Sequence, residues 1–167
     1  MRIYLVGYMG SGKTTLGKKL ANEFKYKHVD LDKNIENKYH ITIPDIFHRF
    51  DEKTFRKLEH ESLKETLTSD NIVISTGGGT PCFYDNMEII NKHGVSVYIK
   101  MTPDSLLKRL LKAKKKRPLI QKKSPEEIKE FIEQQLDLRE PFYNQAHYTI
   151  QGEAPDVLDI VNLLRLK

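Results

Sequence analysis

Residues 7 to 15 read Gly7-Tyr8-Met9-Gly10-Ser11-Gly12-Lys13-Thr14-Thr15 and match G-x-x-x-x-G-K-[ST], the pattern of a phosphate-binding P-loop. The short apolar segment before this loop, residues 3–6, is typical of a buried strand. After the loop, Leu16, Leu20 and Phe24 recur at helical spacing. Because a strand and a helix flank the motif, a purely structural glycine turn is disfavoured. The pattern predicts that the chain binds a nucleoside triphosphate.

The chemistry of the loop assigns a role to each of its residue types. Glycines let the backbone curl so that its N–H groups turn toward phosphate, and the start of the following helix adds partial positive charge. Lys13 is long enough to reach the β- and γ-phosphates, and the Thr14 hydroxyl is a ligand for Mg²⁺. The nucleotide-binding residues predicted here are Gly10, Ser11, Gly12, Lys13, Thr14 and Thr15.

Composition indicates one soluble globular domain. The 167 residues can bury a sizeable core, with 38% hydrophobic and 31% charged residues, and no apolar run approaches the ~20 residues of a membrane span. The single cysteine, Cys82, cannot form an internal disulfide, and Met1-Arg2 lead directly into the first strand. We therefore expect no signal peptide, no membrane partner and a cytoplasmic location.

The net charge of +5 is concentrated in residues 108–123. Basic residues attract ATP and acidic metabolites as well as nucleic acid. The sequence contains no basic patch interleaved with aromatic residues and no nucleic-acid-binding motif, so we expect no nucleic-acid partner.

The order of the elements predicts an α/β fold. Five short predicted strands, at residues 3–6, 27–30, 71–75, 95–99 and 148–150, alternate with helical patterns. Helices are predicted at 43–50, 52–68, 84–92, 103–112 and 125–138, and from Ala154-Pro155 onward, with Gly94 suited to end one of them. This alternation is typical of a parallel sheet covered by helices on both faces, a three-layer α/β/α architecture.

Polar and glycine residues follow two of the predicted strands, where ligands gather in open α/β sheets. Asp30 and Asp32 come after the second strand, and Gly77-Gly78-Gly79 after the third. One carboxylate can hold the metal and its waters, and the other can meet an acceptor hydroxyl. The alternatives are a helix N-cap with a surface acid, and a flexible turn.

Two further stretches combine charge with a distinctive spacing. Arg56 and Glu59 are three residues apart on a predicted helix and can pair, although such a pair can also be a surface salt bridge. Residues 112–124 are rich in lysine around Arg117-Pro118. Because like charges repel one another, we predict that this segment forms a mobile lid.

Taken together, these residues resemble the shikimate kinases of the P-loop kinase superfamily, over nearly the whole chain. The resemblance rests on the P-loop, Asp30-x-Asp32, Phe55-Arg56-x-x-Glu59, Gly77-Gly78-Gly79, Arg117-Pro118-Leu119 and Arg139-x-x-x-Tyr143. It implies one domain with a five-stranded parallel sheet, a lid and a substrate-binding helical segment at about 31–60. It also implies transfer of the ATP γ-phosphoryl group to the 3-hydroxyl of shikimate, with Mg²⁺, in aromatic amino-acid biosynthesis.

The resemblance further implies a role for each site residue. Shikimate would be held by Asp32, Arg56, Gly77, Gly78, Gly79 and Arg139, with Asp32 orienting the hydroxyl or taking its proton. Glu59 would hold Arg56, while Phe47 and Phe55 would either wall the ring or simply pack in the core. Arg109 and Pro155 would contact adenine, Asp30 would join Thr14 at the metal, and Arg117 would close over the phosphates beside Lys13.

The sequence departs from the family pattern at two places, and two other functions remain as alternatives. Asp51-Glu52 replaces a common Gly-Glu pair, and the lid carries additional lysines. Another small P-loop kinase, for gluconate or a nucleotide, would share the P-loop and the arginines. A non-catalytic nucleotide-binding module would share only the loop. No sequence feature marks a subunit interface, so we expect a monomer.

Overall fold

The computed structural model describes residues 1–113 and 122–165, in which a five-stranded sheet forms the centre of the fold. The strands are β1 (Arg2–Val6), β2 (Lys27–Asp30), β3 (Ile72–Ser75), β4 (Val95–Lys100) and β5 (Tyr148–Gln151). They lie in the order β2-β3-β1-β4-β5, and every neighbouring pair is parallel. The predicted parallel sheet is therefore confirmed.

Helices connect the strands and cover both faces of the sheet. They are α1 (Lys13–Phe24), α2 (Leu31–Tyr39), α3 (Ile43–Arg49), α4 (Glu52–Glu65), α5 (Asn86–His93), α6 (Pro103–Lys112), α7 (Pro125–Tyr143) and α8 (Val157–Arg165). Short 3₁₀ turns occupy Thr66–Thr68 and Thr80–Cys82. None of the helices within the described ranges is both long and apolar enough to cross a membrane.

Alternation along β1 divides the interior into two layers. Ile3 and Leu5 pack with residues of α1 and α8, such as Leu16 and Ile160. Tyr4 and Val6 point to the opposite face and pack with residues of α4, α5, α6 and α7. Because successive side chains of a strand point to opposite faces, one buried strand serves both layers. The three-layer α/β/α architecture is confirmed.

A third and smaller apolar cluster lies within the segment predicted to bind substrate. Ile35 of α2, Ile46 of α3 and Phe55 of α4 are buried against one another. These contacts tie the three short helices together and fix the position of α4 relative to the end of β2.

Several predicted boundaries were wrong. Helix α2 lies within the helical segment at about 31–60 that the family resemblance implies, but the residue pattern predicted no separate helix there. Its first turn is capped by Asp30, which accepts from the Lys33 amide. Helix α7 continues past its predicted end at 138 to Tyr143, with Pro141 inside it. Gly94 has an extended backbone, with φ −167°, rather than a left-handed one. It is needed for close packing, since a Cβ there would lie 2.7 Å from the Arg2 carbonyl oxygen.

Two further predictions concern the ends of elements. Helix α8 begins at Val157, so Ala154 and Pro155 precede it rather than open it. The predicted lid at 112–124 falls mostly on residues 114–121, which lie outside the described part of the chain, and Arg117 is among them.

Candidate active site

The P-loop connects β1 to α1 through backbone that favours glycine. Gly7, Gly10 and Gly12 have φ values of 143°, 83° and 92°, a region that residues with a Cβ rarely adopt. Gly12 is the N-cap of α1 and supplies no side chain to the first-turn amides. Those amides therefore remain for an anion at the positive end of the helix.

Lys13 lies inside this loop, with only 7% of its surface exposed. Its ammonium group donates to the carbonyl oxygens of Gly7 at 2.7 Å and Tyr8 at 2.8 Å. The Ser11 hydroxyl is 3.5 Å away. These contacts hold the positive charge at the concave side of the loop, where a phosphate chain would lie.

Thr14 and Asp30 bring two oxygen donors together beside the P-loop. The Thr14 hydroxyl donates to Asp30 Oδ2 at 2.6 Å, while Asp30 Oδ1 accepts from the Lys33 amide. Asp30 is therefore both a helix N-cap and a neighbour of the loop. The described residues contain no group of three or more His, Cys, Asp or Glu side chains that could hold a metal ion by themselves. Mg²⁺ fits this arrangement, because it takes few protein oxygens and completes its shell with phosphate and water.

Asp32 reaches the three-glycine loop after β3. Helix α2 begins immediately after β2 and carries Asp32 in its first turn. A Cβ on Gly77 would lie 2.9 Å from Asp32 Oδ1 and 2.6 Å from Glu59 Oε1. The missing side chain at residue 77 therefore allows two carboxylates to approach the same backbone.

Arg56 is buried within the site, which rules out the interpretation of a surface salt bridge. It is 8% exposed, and its Nη1 donates to Glu59 Oε2 at 2.8 Å. Its Nη2 donates to Glu52 Oε1 at 3.2 Å. The guanidinium carbon lies 4.1 Å from the centre of the Phe83 ring. A Cβ on Gly79 would lie only 2.7 Å from Nη2, so the loop backbone packs directly against the cation.

Arg139 lies beside the neighbouring glycine, Gly78. Its guanidinium carbon lies 5.5 Å from the Tyr8 ring centre. A Cβ on Gly78 would lie 3.5 Å from Arg139 Nη1 and 3.2 Å from the Met9 amide nitrogen. The Tyr143 hydroxyl donates to the Gly78 carbonyl oxygen. Gly78 therefore lies between the P-loop and α7, one residue from the glycine that contacts Arg56.

Cys82 is close to both arginines, yet its thiol stays protonated at neutral pH. Burial raises the pKa of Cys82 to about 11, and the lowering effects of Arg139 and Arg56 do not offset it. A thiol with such a pKa is a poor nucleophile.

Arg109 connects the P-loop to the segment that precedes α8. A Cβ on Gly12 would lie 2.9 Å from Arg109 Nη1, and Arg109 Nη2 donates to the Glu153 carbonyl oxygen at 2.6 Å. Ser105 Oγ donates to Glu153 Oε1 at 3.0 Å. Pro155 is half-buried two residues further on. Arg109 and this segment therefore flank one end of the P-loop.

The two predicted phenylalanines differ in their surroundings. Phe55 is 4% exposed and belongs to the small apolar cluster, so its packing role is established. Phe47 is 40% exposed, and its ring centre lies 4.8 Å from that of Phe55. A role for either ring at the edge of a substrate stays a prediction.

Three residues in contact with the predicted site were not among the site residues predicted from sequence. Thr80 and Phe83 contact Glu59 and Arg56, and Tyr143 contacts Gly78. The spacing in Arg139-x-x-x-Tyr143 could have indicated Tyr143 as a residue near the site. Thr80 and Phe83 have no such signal, because their contacts depend on how the loop after β3 packs on α4.

A parallel five-stranded sheet with a P-loop between its central strand and α1 places the chain in the class of P-loop kinases. Within that class, the model of the shikimate kinase family matches residues 9–163, and the chain belongs to this family.

Individual relatives agree with the family match. The shikimate kinase of Bacteroides thetaiotaomicron is 47% identical over 153 residues, 92% of this chain and 87% of the relative. A solved shikimate kinase structure from the same organism superposes with a TM-score of 0.95 at 43% identity, covering 99% of this chain and 98% of the other. The Acinetobacter baumannii shikimate kinase, solved in complex with shikimate, has a TM-score of 0.87 at 36% identity and covers 99% and 91%.

Proposed function

We propose that this chain transfers the γ-phosphoryl group of ATP to the 3-hydroxyl of shikimate, giving shikimate 3-phosphate and ADP in aromatic amino-acid biosynthesis. One observation carries the choice of acceptor. Arg56 and Arg139 lie beside adjacent glycines, Gly79 and Gly78, of a loop that also adjoins the P-loop. The guanidinium groups of these two arginines, which come from α4 and α7, lie against one short loop beside the phosphate site. Such a pair of cations suits an acceptor that bears a carboxylate.

The acceptor hydroxyl is oriented by Asp32. Its carboxylate approaches the same glycine loop at Gly77, next to the two arginine contacts. A carboxylate at hydrogen-bond distance from the attacking hydroxyl directs its lone pair toward phosphorus and can accept its proton. Gly77, Gly78 and Gly79 let the acceptor ring come close to the backbone, and Glu59 keeps Arg56 in place.

The nucleotide occupies the P-loop. The amides from Gly10 to Thr15 and the ammonium group of Lys13 bind the phosphates, while Arg109 and Pro155 contact adenine. Thr14 and Asp30 would hold Mg²⁺, which would supply positive charge to neutralise the transferred group. Arg117, which lies outside the described residues, closes over the same phosphates as part of the proposed lid.

This site works mainly by positioning and charge neutralisation, since phosphoryl transfer requires little covalent chemistry from the protein. The helical segment at about 31–60 forms the acceptor side of a single catalytic domain. In this proposal the protein acts as a monomer in the cytoplasm.

ADP release from Mg-ATP by the purified protein tests the function directly. We expect strong stimulation by shikimate and none by gluconate or a nucleoside monophosphate. Arg139→Ala, measured in parallel, should respond more weakly than the wild type to shikimate at concentrations that saturate the wild type. Stimulation by gluconate would overturn the assignment of shikimate as the acceptor. If the protein binds ATP but turns over no acceptor, a non-catalytic nucleotide-binding module would be favoured.

A further inference from the structure

One face of α4 is joined to the segment that follows the three-glycine loop. Residues 56, 59 and 60 lie three and four positions apart, so their side chains share a face of the helix. Each of them contacts the segment 80–86, and His60 also lies against the ring of Tyr84, with centres 4.8 Å apart. The pairs are Arg56 with Phe83, Glu59 with Thr80, and His60 with Asn86.

The Glu59 carboxylate is fully engaged by two partners. It is 1% exposed, and its Oε2 accepts from Arg56 Nη1 at 2.8 Å. Its Oε1 accepts from the Thr80 hydroxyl at 2.6 Å, and Thr80 is 0% exposed. Since each oxygen has its own donor, the plane of the carboxylate is fixed, and Glu59 in turn fixes the guanidinium of Arg56.

Asn86 holds the backbone of Thr80 in position. Its Nδ2 donates to the Thr80 carbonyl oxygen at 2.8 Å, and Asn86 is completely buried. The Asn86 Oδ1 lies 2.6 Å from His60 Nδ1. Because an amide oxygen only accepts, His60 donates through Nδ1–H. The segment 80–86 is therefore tied to α4 at two consecutive residues, Glu59 and His60.

We propose that Thr80 is a positioning residue for recognition of the acceptor carboxylate, acting through Glu59 on Arg56. Phe83 supports the same arrangement, since its ring lies against the guanidinium at 4.1 Å and restricts its tilt. This inference rests on the proposed function, in which Arg56 binds the carboxylate of shikimate. The P-loop takes no part in the network, so binding of ATP is independent of Thr80.

Thr80→Val tests the proposal, because it keeps the shape of the side chain and removes the hydroxyl. We expect the shikimate KM to rise about tenfold, the size that follows from losing a buried hydrogen bond to a charged group, with the KM for Mg-ATP within about twofold of wild type. Thr80→Ser restores the hydroxyl and should return the shikimate KM close to the wild-type value. Phe83→Leu should shift the same KM in the same direction.

Thr66→Val is the matched control. Thr66 is also a buried threonine, at the end of α4, and its hydroxyl donates to the Leu63 carbonyl oxygen at 2.7 Å, away from the arginines. It should lower the melting temperature and leave both KM values unchanged. If Thr66→Val raises the shikimate KM as much as Thr80→Val, or if Thr80→Val leaves it unchanged, the positioning role is wrong. A wild-type protein with no shikimate-dependent turnover would instead contradict the proposed function.

Discussion

The Thr14 hydroxyl and the Asp30 carboxylate are joined by a 2.6 Å hydrogen bond that links the first turn of α1 to the end of β2. Strand β3 lies between β1 and β2 in the sheet, so this contact crosses the carboxyl edge above β3. Asp30 also caps α2 through its other oxygen. One carboxylate therefore connects the nucleotide side of the site to the helix that carries Asp32.

Asp30→Asn should weaken the response to Mg²⁺ while preserving the helix. Asparagine is as good an N-cap as aspartate, so the change removes mainly the charge beside Thr14. We expect the Mg²⁺ concentration for half-maximal activity to rise about 10- to 100-fold, measured by titration at fixed ATP. Asp51→Asn replaces another aspartate N-cap, at the start of α4, and should leave the Mg²⁺ titration unchanged. An unaltered titration in Asp30→Asn would exclude Asp30 from the metal site.

Lys13→Ala should remove turnover without unfolding the protein. The substitution deletes the cation that lies against the Gly7 and Tyr8 carbonyl oxygens, where the phosphates are expected. Activity should fall at least about a hundredfold, with an unchanged far-ultraviolet circular dichroism spectrum. Lys18→Ala, on an exposed position of the same helix, serves as the control. Retained activity in Lys13→Ala would contradict the assignment of the phosphate site.

Local patterns in the sequence were sufficient to predict the sheet and the P-loop. Strands β1, β3, β4 and β5 are rich in apolar or β-branched residues, whereas Val29 is the single apolar residue of β2. The glycine positions of the loop follow from the motif itself. Helix α2 was not predicted from the residue pattern, because its nine residues bury only Leu31 and Ile35. Its stability comes from the Asp30 cap and from tertiary contacts, such as the hydrogen bond from Asn34 to Ser62 of α4. Such contacts are not visible in a local pattern.

The end of α7 and part of the site could not be predicted for the same reason. Pro141 signals a break, yet the helix continues to Tyr143, whose ring is buried against Tyr98 with centres 5.1 Å apart. The pairing of Arg56 with Glu59 followed from their helical spacing. The contact of Thr80 with Glu59 joins residues 21 positions apart and depends on the packed structure.

Arg139→Ala should weaken the binding of shikimate far more than the binding of ATP. The Arg139 guanidinium lies beside Gly78 and Tyr8, on the acceptor side of the P-loop. Loss of a charge-assisted contact to the shikimate carboxylate should raise the shikimate KM about 10- to 100-fold, with a much smaller effect on the KM for ATP. Steady-state kinetics with each substrate varied in turn measures both. Arg165→Ala, on α8, is the control, and equal effects of Arg139→Ala on the two KM values would argue against a carboxylate clamp.

Arg117→Ala should lower kcat far more than either KM. This prediction comes from the sequence, since residue 117 lies outside the described part of the chain. An arginine that neutralises charge only in the transition state contributes on the order of 10³–10⁵ in rate. Lys116→Ala, the neighbouring substitution, tests whether any cation of the segment suffices. Similar losses in the two variants would mean that Arg117 has no individual role.

His28→Gln should make the stability of the protein less sensitive to acid. Burial lowers the pKa of His28 from 6.5, and its Nε2 lies 2.9 Å from Ser75 Oγ, which donates to the Lys13 carbonyl oxygen. With a lowered folded-state pKa, the unfolded chain binds the proton more readily. The stabilisation is therefore complete above pH 6.5 and is lost as the pH falls through the folded-state pKa.

We expect the wild-type melting temperature to fall more than that of His28→Gln between about pH 8 and pH 5, the range in which histidine titrates. Glutamine keeps a donor for Ser75 but cannot take up a proton, so the difference between the two curves reports the titration of residue 28. His93→Gln replaces an exposed histidine and should follow the wild-type curve. Parallel curves for wild type and His28→Gln would show that His28 is protonated equally in the folded and unfolded states, against the burial that the structure gives it.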